Sequence, residues 1–332
     1  QMCIRDSNNP VADQTPWYLL PLDDQLEYID SFAPEELKEN LIFFAHNGFI
    51  VIENTISKKV AKDAIDGFND LVKNNPKAFE GATEINPDDE RTIETGLYHR
   101  IGNTHLSSKR IANAFIKNKA LSYVNFIFQS KPALYTSLYY QRGSAQDIHR
   151  DTPYFTTRPM NYYVGFSISL EPSNDENGCL EVMRGGHLVD EIDLDNVIDI
   201  LNKDTKNLSS TDDETWAMYQ EMMKKSCLDA GLKIESLHTN TGDTIIWHPQ
   251  LPHGGSVVRS VSPRNSLITH VTPVGMPVYL QDVFFNPSKE VSEYTDWKYG
   301  EFKNCFVRYG DSININNIRN VSIRDLDSDV LQ

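Results

Sequence analysis

Apolar residues in the first third of the chain recur at helical spacing. Leu37, Leu41 and Phe44 share one face of a segment that ends before Gly48, which is the pattern of an amphipathic helix with a glycine at its C-terminus. The same spacing recurs in residues 57–71 and 107–129. The part of the chain from about residue 30 to about residue 130 is therefore predicted to be helical.

From residue 134 the pattern changes to short runs rich in β-branched and aromatic residues. Turn residues such as Asn177-Gly178 separate these runs, and this arrangement is typical of an antiparallel sandwich or barrel. The predicted strands are 135–141, 162–170, 180–183, 244–247 and 266–271. We predict a mainly β protein with α-helices, in which a jelly-roll core at about 134–275 is buttressed by the N-terminal helices.

The remaining segments complete a single predicted domain over residues 8–332. An acidic and then helical insertion at about 189–238 interrupts the β core, and insertions of this length are often lids or binding loops. Its stripe of aromatic and methionine residues from Trp216 to Met223 is predicted to be helix core rather than a substrate lid. Residues 276–332 form a C-terminal extension, and residues 1–7 resemble translated adapter sequence, which we interpret as a non-native leader.

Composition narrows the class of partner. The chain has 31 Lys and Arg against 47 Asp and Glu, giving a formal net charge of −16, which disfavours binding to nucleic acid or to an anionic membrane surface. The sequence has no apolar run of membrane-spanning length and no secretory signal. Its four cysteines are scattered without a CxxC pair, which favours a reducing, cytoplasmic setting. On charge grounds, a small-molecule substrate is favoured over a protein or nucleic acid. The pattern favours no particular oligomeric state.

Two histidines and a carboxylate form a candidate metal site. His149 and Asp151 are two positions apart, and alternate residues of an extended segment point to the same side. His253 follows a predicted strand and supplies a third ligand. Two His and one carboxylate make up the facial triad of non-haem iron oxygenases, which leaves adjacent positions open. The sequence therefore predicts an Fe(II) site with room for a chelating cosubstrate and O2.

Arg264 is the candidate for the cosubstrate clamp. It lies at the start of the last predicted strand, and a guanidinium binds a carboxylate with two parallel hydrogen bonds. The distal carboxylate of 2-oxoglutarate needs such a partner. Arg259 competes for this role, and the spacing from His253 favours Arg264. Thr152 is predicted to donate a hydrogen bond to the cosubstrate, with a structural role as the alternative.

Together these motifs resemble the phytanoyl-CoA dioxygenase-like (PhyH) family. The resemblance runs from about residue 35 to residue 273, and it is strongest in residues 43–54, 146–151, 176–187 and 253–264. It implies a double-stranded β-helix that uses Fe(II), 2-oxoglutarate and O2 and that releases succinate and CO2. The chain departs from the family pattern at Arg150, Arg184 and Gly186, which puts the substrate in question. No basic patch indicates a coenzyme A thioester.

Three residues are predicted to contact the substrate because they lie near the metal motif or in a polar cluster: Arg150, Tyr154 and Arg100. His187 and His248 are expected to be structural or to support the ligands. The favoured function is hydroxylation of a small organic metabolite, because Asp151 is retained where related halogenases carry a small residue. The alternatives are a cupin-type metalloenzyme that does not use 2-oxoglutarate and a non-catalytic binding protein of the same fold.

Overall fold

A computed structural model describes residues 15–74, 96–290 and 298–309. The predicted leader at residues 1–7 and the end of the C-terminal extension lie outside the described residues. The division of the chain into a single domain of residues 8–332 remains a prediction.

Helices come first along the chain, as the apolar spacing predicts, and the helical region predicted at 107–129 contains two of them. The helices are α1 (Leu22–Phe32), α2 (Glu35–Asn47), α3 (Lys58–Asn74), α4 (Lys109–Ile116), α5 (Leu121–Phe128), α6 (Leu194–Leu201), α7 (Asp213–Asp229) and α8 (Gln281–Phe284). Gly48 ends α2 in the left-handed conformation, with φ of 80°, which glycine adopts without a steric penalty.

Strands dominate after α5, and five of them (β3, β5, β6, β8 and β10) lie where the β-branched and aromatic runs predict strands. They are β1 (Phe49–Ile52), β2 (Ile101–Gly102), β3 (Pro132–Tyr140), β4 (Thr156–Thr157), β5 (Val164–Ser169), β6 (Leu180–Met183), β7 (Ile234–Leu237), β8 (Thr244–Trp247), β9 (His253–Gly255), β10 (Ser266–Pro273), β11 (Val278–Tyr279), β12 (Lys298–Glu301) and β13 (Phe306–Tyr309).

The strands form two main sheets. The larger sheet has the order β1-β8-β5-β10-β3-β13-β12, with β2 also paired to β3. Its central neighbours are antiparallel, whereas β13 joins β3 in parallel. The smaller sheet has the order β7-β6-β9, and β11 pairs with β4. The candidate ligand His253 thus belongs to the smaller sheet, and Arg264 immediately precedes a central strand of the larger one.

Strand alternation separates the two faces of the larger sheet. On the outer face Tyr139 stacks on Phe68 of α3, with ring centroids 3.9 Å apart, and Phe166 meets Phe115 of α4 edge-on at 5.3 Å. On the other face Ile245 and Trp247 pack with apolar residues of the smaller sheet. Helices therefore bury one face, while the other encloses the interior where the polar site lies.

Gly165 lets two central strands approach each other closely. It pairs with Trp247 across β5 and β8, and the indole ring lies directly over it. A methyl group at position 165 would come within 1.8 Å of Trp247 Cε2. The absence of a side chain is what allows the buried indole to reach the metal-binding region.

The insertion is shorter than the sequence predicts. We expected it to extend to about residue 238, but β7 pairs with β6 and is part of the smaller sheet, so the insertion ends before Ile234. Within it, Tyr219 and Met223 of α7 pack against Phe284 in a separate apolar cluster. The predicted helix core is therefore present, although Trp216 on the same helix has a different environment. Across the described ranges, each helix is too short or too polar to cross a membrane.

Candidate metal centre

The backbone brings the two candidate histidine ligands together. His149 and His253 form a short antiparallel bridge, in which the amide of His149 donates to the carbonyl of His253 at 2.8 Å and the reverse bond is 2.9 Å. Their imidazole centroids are 4.7 Å apart. Residues distant in sequence thus become direct neighbours because β9 pairs with the segment that carries the His-x-Asp motif.

The three ligand atoms fit one metal ion. One ligand atom from each of His149, Asp151 and His253 lies within 4.8 Å of the other two. His149 Nε2 is 3.4 Å from Asp151 Oδ1, and His253 Nε2 is 3.1 Å from Asp151 Oδ2. Two ligands at right angles, each about 2.1 Å from an ion, are about 3.0 Å apart. The side chains are therefore already spaced like cis ligands of an octahedral site.

Each imidazole is oriented through its other nitrogen. Nδ1 of His149 donates to the carbonyl of Asp147 at 2.7 Å, and Nδ1 of His253 donates to the carbonyl of Leu251 at 2.9 Å. Since these carbonyls can only accept, each Nδ1 carries a proton, and Nε2 is the ring atom that faces Asp151 and can bind a metal. This arrangement is usual for metal-binding histidines.

A third histidine, which sequence reasoning missed, supports the carboxylate. His270 of β10 lies 2.8 Å from Asp151 Oδ2 through Nε2, and its ring stacks on Phe155 with centroids 3.8 Å apart. Burial by itself would raise the pKa of Asp151, but the charges on His253 and His270 and the hydrogen bonds from His149 and His253 hold that pKa well below its usual range. The carboxylate is therefore ionised in the free protein and ready to bind a cation.

Replacement of His270 by phenylalanine is expected to weaken Fe(II) binding by about 10- to 100-fold, because the carboxylate ligand loses the donor that orients it. Equilibrium dialysis with Fe(II) under anaerobic conditions measures this effect. The His270→Gln variant keeps an amide donor and is expected to recover part of the affinity. Equal affinities for wild type and His270→Phe would show that His270 has no influence on the metal ligand.

Arg264 is half-buried, and its charge is largely uncompensated. Its Nη1 donates to Ser266 Oγ at 2.9 Å, and its Nη2 donates to the carbonyl of Gly178. Within the described ranges no carboxylate forms an ion pair with it, and burial lowers the pKa of its guanidinium. Nε is buried without a partner. A half-buried cation without an ion-pair partner is suited to an anionic ligand.

A cavity adjoins this guanidinium. It is lined by polar groups from the larger sheet, apolar side chains and the glycines of β9: Tyr140, Ser167, Ser169, Ile245, Leu180, Ile268, Gly254 and Gly255. The competing Arg259 instead contacts the carbonyl of Asp175 at the surface, with 59% of its side chain exposed. Among the described residues, the cation at the wall of this cavity is therefore Arg264.

Two residues predicted to bind ligands have structural partners instead. The Arg150 side chain is 1% exposed and donates to Glu191 at 3.2 Å and to the carbonyl of Gly186 at 2.9 Å. Thr152 Oγ1 bonds to the Tyr163 hydroxyl and to the carbonyl of Pro249. Alternation along the backbone turns Arg150 away from its neighbours His149 and Asp151. The prediction that Arg150 contacts the substrate is therefore corrected: its side chain forms structural contacts. Thr152 braces the loop before His253, and no contact of its hydroxyl points to a cosubstrate.

The insertion covers one side of the site. Trp216 of α7 lies 4.7 Å from the Tyr154 ring and 5.9 Å from the His149 ring, centroid to centroid. Gln220, one turn later, accepts from the amide of Arg150 at 2.8 Å and donates to its carbonyl at 3.0 Å. The prediction that this stripe is only helix core was therefore wrong for Trp216.

Arg100 is exposed in the left-handed conformation, with φ of 42°.

The other two candidate histidines are structural. His187 Nε2 bonds to the carbonyl of Ala45 at 3.0 Å, and His248 Nε2 bonds to the carbonyl of Tyr18 at 3.1 Å. Burial lowers the pKa of His187 to about 4, so its ring is neutral at pH 7. Both rings fix N-terminal segments to the β core.

Solved structures share this fold. The carbocyclase SnoK from nogalamycin biosynthesis, described as non-heme and alpha-ketoglutarate-dependent, matches with a TM-score of 0.55 at 12% identity, over 81% of this chain and 96% of that one. EctD from S. alaskensis, solved with 2-oxoglutarate and 5-hydroxyectoine, matches with a TM-score of 0.56 at 15% identity, over 81% and 86%. The predicted double-stranded β-helix is thus confirmed.

A curated relative is similar over a shorter stretch. It is the 2-aminoethylphosphonate dioxygenase of the uncultured bacterium HF130_AEPn_1, 28% identical over 114 residues. The alignment covers 34% of this chain and spans about a third of the relative's length, 34%.

The sequence profile of the phytanoyl-CoA dioxygenase (PhyH) family matches residues 44–266, which is more than half of the chain and includes the triad and Arg264. This match confirms the resemblance to the PhyH family that the sequence predicts. The chain belongs to the phytanoyl-CoA dioxygenase family.

Proposed function

We propose that this protein is an Fe(II)- and 2-oxoglutarate-dependent dioxygenase that hydroxylates a small organic metabolite and releases succinate and CO2. The observation that carries the proposal is the combination of a His-Asp-His set with a half-buried, uncompensated arginine. The arginine lies at the wall of a cavity that Gly254, the residue after the ligand His253, also lines. The triad alone fits several metalloenzymes, whereas the arginine adds the requirement for an anionic cosubstrate.

In this proposal His149, Asp151 and His253 hold the iron. The two imidazoles present Nε2, and the ionised carboxylate neutralises part of the ion's charge. Because all three ligands lie on one side, the opposite positions stay free for the cosubstrate and for O2. With iron and 2-oxoglutarate bound, the centre supplies oxidation of a substrate C–H bond coupled to decarboxylation of the 2-oxo acid.

Arg264 binds the distal carboxylate of 2-oxoglutarate. Its hydrogen bonds to Ser266 and Gly178 fix the guanidinium plane, so that little side-chain entropy is lost when the carboxylate binds. Tyr140 and Ser167 line the same cavity and offer hydroxyl donors.

The substrate enters beside the aromatic pair Tyr154 and Trp216. The Trp216 ring lies next to His149, and the Tyr154 ring contacts Trp216. The triad side chains are at most 13% exposed, which favours a small molecule over a protein or nucleic acid, as does the net charge of −16. The relative that acts on 2-aminoethylphosphonate makes this compound the first to test. Other small zwitterionic amines and acids form the rest of the screen.

Anaerobic titration with Fe(II) and then 2-oxoglutarate tests the proposal. The wild type is expected to develop the visible charge-transfer band of a 2-oxo acid bound to iron. In Arg264→Ala the 2-oxoglutarate concentration for half-saturation is expected to rise by about 100-fold, since removal of a buried charge partner costs about 2–5 kcal/mol. Arg259→Ala is the matched control and is expected to titrate like wild type.

The three outcomes separate the alternatives. A band that depends on Arg264 supports the proposal, and succinate release then reports on each substrate in the screen. Iron binding without the band would favour a cupin-type enzyme that does not use 2-oxoglutarate. Failure to bind iron would leave a binding protein of the same fold.

A further inference from the structure

A second cluster of metal-ligating side chains lies on the smaller sheet, apart from the triad. Asp175, Cys179 and His238 each bring one ligand atom within 4.8 Å of the other two. His238 Nε2 is 3.0 Å from Asp175 Oδ2, and Cys179 Sγ is 3.7 Å from Asp175 Oδ1. We propose that these three residues form a second divalent metal site that takes Zn²⁺.

The β-pairing explains why the three side chains converge. Leu180 pairs with Leu237, which places Cys179 and His238 opposite each other at the next position of the ladder. On the far side of His238, Thr239 pairs with Ser173 through two backbone hydrogen bonds of 2.9 and 3.1 Å. His238 is therefore held by pairing on both sides, and the turn that leads to Cys179 carries Asp175 over it.

The donor set suits zinc. A thiolate, an imidazole and a carboxylate are ligands of Zn²⁺, and a three-residue set leaves the fourth tetrahedral position for water. Cys179 is fully buried, while 54% of the Asp175 side chain and 55% of the His238 side chain are exposed. The site is thus closed on the thiol side and open to solvent on the other, so that an ion and its water can enter.

The site also adjoins the proposed cosubstrate cavity. Cys179 lines that cavity, and the preceding residue, Gly178, accepts a hydrogen bond from Arg264 through its carbonyl. Burial raises the pKa of the Cys179 thiol, so binding of the metal releases a proton. The proposal itself does not depend on the function of the triad, because it concerns different side chains.

Titration with Co²⁺ tests the second site, because a thiolate bound to Co²⁺ absorbs in the near ultraviolet and the triad contains no thiolate. The wild type and Asp151→Ala are both expected to show the band, and Zn²⁺ is expected to abolish it by displacement. Cys179→Ser is expected to lose the band. His238→Gln and Asp175→Asn, at exposed positions, are expected to weaken Co²⁺ binding by at least about tenfold.

The controls are the other cysteines. Cys227 and Cys305 are buried outside the cluster, so Cys227→Ser and Cys305→Ser are expected to keep the band, as is Cys3→Ser. Far-ultraviolet circular dichroism checks that each variant is folded. A folded wild type without a thiolate band, or a band that survives in Cys179→Ser, would overturn the proposal.

Discussion

Alanine in place of Asp151 is expected to lower 2-oxoglutarate turnover by at least about a thousandfold, which corresponds to about 4 kcal/mol. The change removes the one anionic ligand and leaves His149 and His253 as the remaining pair. It also leaves His270 Nε2 buried without the carboxylate that it contacts at 2.8 Å. Succinate formation measures turnover, and anaerobic dialysis measures the accompanying loss of bound Fe(II).

Asp229→Ala is the matched control for this experiment. Asp229 is at the end of α7, where 65% of its side chain is exposed and it pairs only with Lys225; such surface pairs contribute at most about 1 kcal/mol. The control is expected to bind iron like wild type. A folded Asp151→Ala protein that retains a tenth of wild-type turnover would contradict the assignment of Asp151 as a ligand.

Alanine in place of Gly165 is expected to lower the free energy of unfolding by at least about 3 kcal/mol, because the added methyl group overlaps the Trp247 indole. The added carbon would lie 1.8 Å from Trp247 Cε2, and the ring is 1% exposed, so it cannot turn out into solvent to relieve the contact. Its centroid is also 5.0 Å from that of His253. Thermal unfolding is expected to shift down by roughly 5 °C or more, and Fe(II) affinity is expected to fall with it.

A double-mutant cycle distinguishes this overlap from an effect of glycine on the backbone. In a Trp247→Leu background the smaller side chain leaves room at position 165, so Gly165→Ala is expected to cost less than about 1 kcal/mol there. If Gly165→Ala is equally costly in both backgrounds, the destabilisation has another origin than contact with Trp247.

Local patterns specify much of the fold. The predicted strands 180–183 and 244–247 coincide with β6 and β8, because turn residues bound both short runs. The strand β7 escaped prediction because Ile234 and Ser236 are exposed and Glu235 lies between them, so it has no apolar face of its own. Its strand character comes from pairing with β6, a contact over a long sequence separation.

The site residues also fall into those that local sequence patterns reveal and those that depend on tertiary packing. His149, Asp151 and His253 could be found from short motifs, since ligand chemistry restricts the residue types and their spacing. His270 could have been suggested by its position on the same face of β10 as Ser266, four residues earlier. Trp216 could not, because its place beside His149 depends on how α7 docks. Arg150 was assigned to the substrate by proximity in sequence, although its neighbours on both sides already pointed to the opposite face.

The side-chain amide of Gln220 hydrogen-bonds the backbone of Arg150, between His149 and Asp151, as a neighbouring β-strand would. On one side this segment is paired with β9 through His149 and His253, and on the other Gln220 supplies the donor and acceptor that a neighbouring strand would provide. The insertion therefore helps to position the metal-binding segment, in addition to covering one side of the site. A chimera that received a foreign segment between β6 and β7 would lose this bond pair, and it would need to replace it to hold His149 and Asp151 in place.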